Sequence, residues 1–282
     1  MAKPSRQGAS TPQGQNRTLS FVQALAIVVG MIIGSGIFLK PSIVLEQAGS
    51  PVGSLLAWVA GGLITLAAAL SVAEVASAIP KTGGLYTYLQ DLYGDVWGYL
   101  LGWVQTIISY PASIAAQAIA FATYAAIFCP MTGGQQKVVA IAVMAFLLAM
   151  NILSTQYGGV IQTLSTVGKL IPVAAIIGFG VFSTLVPDFT QAGGGMSATG
   201  FGAAILSTLW AYDGWIGVTN MAGELKNPGK NLPKVIALGV SFVVLVYALF
   251  NLAIFKVLPY ETVVASATPG AEAAVALFGQ GG

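Results

Sequence analysis

Gly30-Met31-Ile32-Ile33-Gly34-Ser35-Gly36-Ile37-Phe38 and Trp210-Ala211-Tyr212-Asp213-Gly214-Trp215 interrupt two otherwise apolar stretches of a 282-residue chain. In the first, glycines cluster where a membrane helix would otherwise run on; in the second, a carboxylate and a glycine fall near the middle of an apolar run. Both weaken a helix where polarity is most costly. The simpler reading of such glycines is close packing against a neighbouring helix. Here, however, the interruptions fall in the first and sixth apolar stretches, corresponding positions of an inverted five-plus-five repeat. Paired breaks of this kind point to a transport site near the membrane midplane.

The rest of the chain agrees with a membrane setting. Charged residues are 7% and hydrophobic ones 56%, against roughly 25% charged in soluble domains. Mean hydropathy is +0.83. Apolar windows bounded by Gly, Pro and charge give seven candidate spans, at about 19–44, 52–79, 96–128, 136–154, 161–186, 200–222 and 234–258. Residues 1–18 read as a disordered cytoplasmic tail, 19–258 as the transmembrane domain and 259–282 as an extracellular loop too short and broken to span again. With the N-terminus inside, seven basic residues (Lys3, Arg6, Arg17, Lys81, Lys226, Lys230, Lys234) fall on the cytoplasmic side, against Lys40, Lys137 and Lys256 outside. The segment Pro80–Tyr88 is too apolar and glycine-rich for an ordinary turn and reads as re-entrant or interfacial.

Several function classes drop out. A net charge of +2 without a basic stripe does not suit a nucleic-acid partner. One cysteine and no histidine exclude an intrachain disulfide and argue against a metal centre or Ser/His catalysis. No cofactor is expected. The partners expected are the lipid bilayer and a small-molecule substrate; the sequence names no partner subunit.

Freed backbone groups in a broken membrane helix must be satisfied by protein, ion, substrate or water. The outer half of span one begins near Ser35 and Gly36, where unpaired N–H groups and the positive end of the helix dipole suit a carboxylate. Gly34 and Gly36 are expected to give the backbone positive φ and to keep side chains away from the ligand. Carbonyls around Ile32 and Ile33, and around Trp210 and Ala211, suit an ammonium group. One zwitterion satisfies both sets, which makes α-amino acids the natural substrate class.

Lys169 lies inside span five, where charge is costly and functional by default. It is expected to donate to carbonyls freed by the break in span one, in the place of a coupling ion; snorkelling to a helix end is the alternative. Asp213, beside Gly214, is open to three readings: proton carrier, partner of a buried group, or acceptor capping the break. Glu74 and Glu224 read as structural charges at cytoplasmic ends. Of the aromatics Trp103, Tyr110, Trp210, Tyr212 and Trp215, only Trp210 is carried forward as a gate.

Taken with Pro80-Lys81-Thr82-Gly83-Gly84, Tyr86, Tyr88, Gly223-Glu224-Leu225-Lys226-Asn227-Pro228 and Leu232-Pro233, these motifs resemble the bacterial L-type amino-acid transporters of the APC superfamily, from about residue 19 to the end. That resemblance implies an all-α, leucine-transporter-like membrane fold with helices one and six unwound, of which about seven of an expected twelve helices lie before Gly282. It also implies sodium-independent exchange at the plasma membrane. Ser35 and Gly36 would meet the carboxylate, Ile32 the amine, Trp210 would close over the substrate, and Lys169 would replace a sodium site. Proton-coupled symport and a non-transporting remnant are the alternatives. A seven-span receptor is opposed by the charge bias.

Overall fold

Helix α1 (Phe21–Ile32) starts where Ser20 Oγ accepts from the Gln23 N–H (3.4 Å) and Gln23 Oε1 accepts from the Ser20 N–H (3.0 Å), a reciprocal cap. The computed structural model describes residues 19–79, 83–153, 155–186, 189–191, 193–221 and 225–281. After α1 the chain leaves the helix at Ile33–Ser35 and resumes as α2 (Gly36–Leu39) and α3 (Pro41–Ala48), which ends on Gly49 at φ +71°. Pro51 opens α4 (Pro51–Ala78) with Ser50 as its cap. A proline in the first turn forfeits only an N–H that has no helical partner anyway.

Gly83 and Gly84, at φ +115° and +56°, then turn the chain into α5 (Gly84–Tyr93). The later part of the segment read as re-entrant or interfacial is therefore a short helix. Span three is helical from Asp95 to Phe128 but not uniform: α6 (Asp95–Val104) and α7 (Tyr110–Phe128) are joined by one π-helical turn, Gln105–Ser109. Pro111 explains it. Inside a helix a proline has no N–H to donate and crowds the carbonyl four residues back, and a π turn takes up that strain.

Helices α8 (Gly133–Leu153) and α9 (Thr155–Gly180) follow, then α10 (Ala198–Ala211), a 3₁₀ turn (Trp215–Met221), α11 (Pro228–Val257), and two short helices, α12 (Tyr260–Ala265) and α13 (Pro269–Phe278). Among the described residues, five stretches are long and apolar enough to cross a bilayer: Phe21–Leu39, Pro51–Ala78, Asp95–Phe128, Gly133–Met150 and Pro228–Val257. The sixth expected span is divided, with 14 residues in α10 and 7 in the 3₁₀ turn, because Gly214 reverses the backbone at φ +113°. Span five starts earlier than the sequence indicates, at Thr155. Residues 1–18, Pro80–Thr82 and Gly223–Glu224, on which other expectations fall, lie outside the described residues.

The core is built around α1, α4, α10 and α11, and glycines set how closely they approach. A Cβ on Gly62 would lie 2.3 Å from Val244 Cγ2, on Gly61 2.0 Å from Thr208 Oγ1, and on Gly239 2.7 Å from Val28 Cγ1. Where lipid is as apolar as leucine, such close backbone packing, with hydrogen bonds, is what holds helices together. Three aromatic rings fill the centre: Trp58 lies 6.0 Å from Tyr212 and 5.3 Å from Tyr247, and the two tyrosines are 5.0 Å apart. Helices α6 to α8, by contrast, turn Trp97, Ile107, Phe128, Ile141 and Ile152 outward.

At one end of the bundle, the Lys226 N–H donates to the Leu19 carbonyl (3.1 Å), so α1 and α11 begin on the same side. At the other end, α12 packs against α3 and α13 against α9, where Phe179 and Phe278 meet edge to face at 5.3 Å. Ser42 Oγ donates to the Ser266 carbonyl (2.7 Å).

Candidate functional site

The two interruptions meet. A Cβ on Gly36 would lie 2.7 Å from Ala211 Cα, and one on Gly214 would lie 2.6 Å from the Met31 carbonyl oxygen. One glycine in each break therefore permits the other to approach, and only hydrogen fits at either position. This corrects an expectation: neither Gly34 nor Gly36 has positive φ. Gly36 is already helical and is needed for proximity, whereas the left-handed backbone belongs to Gly214.

Between the breaks lies a cavity of about 190 Å³ lined by Met31, Ile32, Gly34, Ser35, Gly36, Trp210, Ala211, Asp213 and Gly214, with Tyr110, Ser113 and Gln117 from α7 on the facing wall. All eight residues singled out in the two breaks line it. On one side, the first hydrogen bonds of α2 run from Phe38 and Leu39 to the Ser35 carbonyl (both 3.1 Å), so the N–H groups of Ser35, Gly36 and Ile37 come before its hydrogen-bonded ladder. On the other side are the terminal carbonyls of α1 and α10. The lining residues thus include Ser35 and Gly36, whose N–H groups precede the ladder of α2, and Ile32 and Ala211, the last residues of α1 and α10.

Tyr247 of α11, fully buried, places its hydroxyl 2.9 Å from the Ile32 carbonyl and 3.0 Å from that of Ala211. One proton cannot serve both at full strength, so each retains acceptor capacity while the ends of both broken helices are held to one point. Nothing in the sequence marks this tyrosine, which sits among apolar residues of a long helix.

Lys169 extends from α9 and its Nζ donates to the Gly30 carbonyl at 2.7 Å. Gly30 is in the last turn of α1, where interruption leaves carbonyls without helical partners, and the ammonium supplies one donor. Because α9 begins at Thr155, Lys169 is fourteen residues along it, about 21 Å of helical rise. The other end, Gly180, is eleven residues away, so neither end is within easy snorkelling reach.

Asp213 is exposed, and its Oδ1 accepts from the Gly214 N–H (2.8 Å), a contact within the break itself. Trp210 faces the cavity with the Lys40 ammonium 4.8 Å from its ring centre, a cation–π arrangement that steadies the indole. Tyr110 lines the cavity; Tyr212 does not, being buried with its hydroxyl donating to the Trp58 carbonyl (2.9 Å). Trp215 is buried too, and Trp103 lines a separate open groove with Tyr86 and Tyr99. Glu74 is exposed near the end of α4. Ser113 and Gln117, which sequence reasoning missed, carried a readable signal: Tyr110, Ser113 and Gln117 stand at i, i+3 and i+7, a polar stripe on one face of an apolar span that brackets a helix-perturbing proline, Pro111.

The family profile described as "Amino acid permease" matches residues 19–281. Among curated relatives, "Serine/threonine exchanger SteT" of Bacillus subtilis (strain 168) is 45% identical over 267 residues, 94% of this chain and 61% of the relative. "b(0,+)-type amino acid transporter 1" of Homo sapiens is 34% identical over 251 residues, covering 86% of this chain and 52% of the relative. "Asc-type amino acid transporter 1" of Homo sapiens is 33% identical over 271 residues, covering 92% and 52%. The chain spans about half to three fifths of the length of these relatives.

Proposed function

Since the chain belongs to the amino acid permease family, we propose that the cavity between the two breaks is its substrate site, and that the protein moves small neutral L-amino acids across the plasma membrane by exchange. The observation that carries this is the main-chain lining, with N–H groups at Ser35 and Gly36 and carbonyls at Ile32 and Ala211 around a volume of about 190 Å³. The α-carboxylate lies against the amides and the α-ammonium against the carbonyls. The side chain then points toward Tyr110, Ser113 and Gln117, whose hydroxyl and amide groups favour short polar or small apolar side chains. The relative named as a serine/threonine exchanger is consistent with that choice.

Lys169 supports exchange without a coupling cation, because its ammonium occupies the place where freed α1 carbonyls would otherwise attract one. The motion is alternating access, with α1, α4, α10 and α11 rocking as a packed unit against the remaining helices. The N-terminus faces the cytoplasm under this reading. Relatives carry names that include "small subunit", and pairing with a second polypeptide belongs to the whole protein's biology as a further proposal.

The test is counterflow in proteoliposomes. Vesicles loaded with unlabelled L-serine take up labelled L-serine saturably if the reading holds, without dependence on a sodium or proton gradient. Uptake that requires either gradient would replace exchange with symport, and absence of saturable uptake would leave the site a binding remnant.

A further inference from the structure

Three buried polar atoms lie along one interface, and none of them touches the substrate cavity. Ser54, Trp58 and Asn251 are all fully buried, and Ser54 Oγ, Trp58 Nε1 and Asn251 Oδ1 have no hydrogen-bond partner among the described residues. Buried polar groups in folded proteins are nearly always paired, so three on one seam need a common explanation.

The antiparallel register of α4 and α11 places them together. Deep in the seam Gly62 opposes Val244. One turn outward, Trp58 opposes Tyr247 with ring centres 5.3 Å apart. At the outer end Pro51 and Phe255 share one small apolar pocket. Between those last two pairs, Ser54 is one turn outward from Trp58 on α4, and Asn251 one turn outward from Tyr247 on α11. The register therefore sets Ser54 opposite Asn251, one turn from the Trp58–Tyr247 pair.

We infer that this seam holds one ordered water molecule, bound by Trp58, Asn251 and Ser54. The chemistry of the three atoms selects the ligand. An indole N–H only donates, an amide oxygen only accepts, and a hydroxyl does either. A metal cation is repelled by the indole N–H, and an anion by the amide oxygen. Water accepts from Trp58, donates to Asn251 and completes its set with Ser54, the three-partner arrangement usual for buried waters.

The position gives the water a structural task. Asn251 Nδ2 donates to the Tyr247 carbonyl (2.8 Å), and Tyr247 holds the carbonyl ends of both broken helices. A chain of contacts thus runs from α4 through water and Asn251 to the residue that clamps the breaks. It is a polar joint inside the moving bundle, separate from the substrate site.

Radiolytic hydroxyl-radical labelling of the purified chain in lipid nanodiscs tests this, because radicals formed from a bound water oxidise the side chains around it. Trp58 is expected to label severalfold faster than Tyr88, a ring just as buried whose hydroxyl donates to the Thr219 carbonyl. Ser54→Ala with Asn251→Leu should remove that excess while the chain remains monodisperse and helical. Labelling of Trp58 no faster than Tyr88 would overturn the proposal in the unmodified protein alone, whether or not the double variant folds. It would mean instead a dry seam with a direct Ser54–Asn251 contact. An excess that survives the double substitution would overturn it as well.

Discussion

Two glycines two residues apart do different work, and substitution separates them. A methyl group on Gly36 would meet the Ala211 backbone at 2.7 Å, whereas on Gly34 the nearest atom is the Ile32 carbonyl oxygen at 3.8 Å. Gly36→Ala should lower stability by about 1–3 kcal/mol, since neither backbone can yield easily. Gly34→Ala should leave the thermal unfolding midpoint almost unchanged and weaken substrate binding, because its methyl enters the cavity. Thermal unfolding and radioligand binding on both variants read this out; equal effects on both would contradict the assignment. Lys169→Ala removes the donor to the Gly30 carbonyl and should cost about 1–3 kcal/mol, with transport becoming sensitive to external cations. Conservation of transport rate and cation independence in that variant would remove its role as an ion substitute. The sequence already pointed to the breaks and to Lys169. It misassigned the conformational role of Gly34 and Gly36, because a glycine needed for close approach and one needed for positive φ look alike until the opposing backbone is known.

Among the elements, span three departs most from its expected form, and its departure shapes the cavity wall. The π turn at Gln105–Ser109 rotates α7 relative to α6 and brings Tyr110, Ser113 and Gln117 to face the breaks. Pro111→Ala removes the cause of the turn. It is expected to leave stability equal or higher, since an interior proline is lost, and to weaken substrate binding as the three side chains turn away. Binding unchanged by Pro111→Ala would mean the π turn is held by packing alone. Periodicity located this span well because its apolar composition is continuous from Asp95 to Phe128, but a one-residue insertion in helical register leaves no compositional trace. The broken sixth span was legible for the opposite reason: Asp213 and Gly214 advertise the interruption. Tyr247 was invisible, since a tyrosine in a long apolar helix has no local feature to set it apart from an interfacial anchor.

Across the whole molecule, the coarse architecture followed from where charge and glycine fall, and the finer packing did not. An all-helical membrane protein could be read from hydropathy, and its paired breaks from Gly34, Gly36, Asp213 and Gly214 inside apolar runs. The crossing of Gly36 with Ala211 and of Gly214 with Met31 is a long-range event that only the fold reveals. Orientation can be tested without any substitution, because Cys129 is the sole cysteine and is exposed between α7 and α8. With the N-terminus inside, a membrane-impermeant maleimide should label Cys129 in intact cells; labelling only after permeabilisation would invert the topology.

The central claim is that main chain at the two breaks reads the zwitterion of an α-amino acid, and competition for the site tests it most directly. Labelled L-serine bound to the purified chain in nanodiscs should be displaced by L-alanine and L-threonine. Neither N-acetyl-L-serine, which lacks the ammonium, nor L-serinamide, which lacks the carboxylate, should compete. Absence of saturable L-serine binding, or displacement by either derivative as effective as that by L-alanine, would contradict the account.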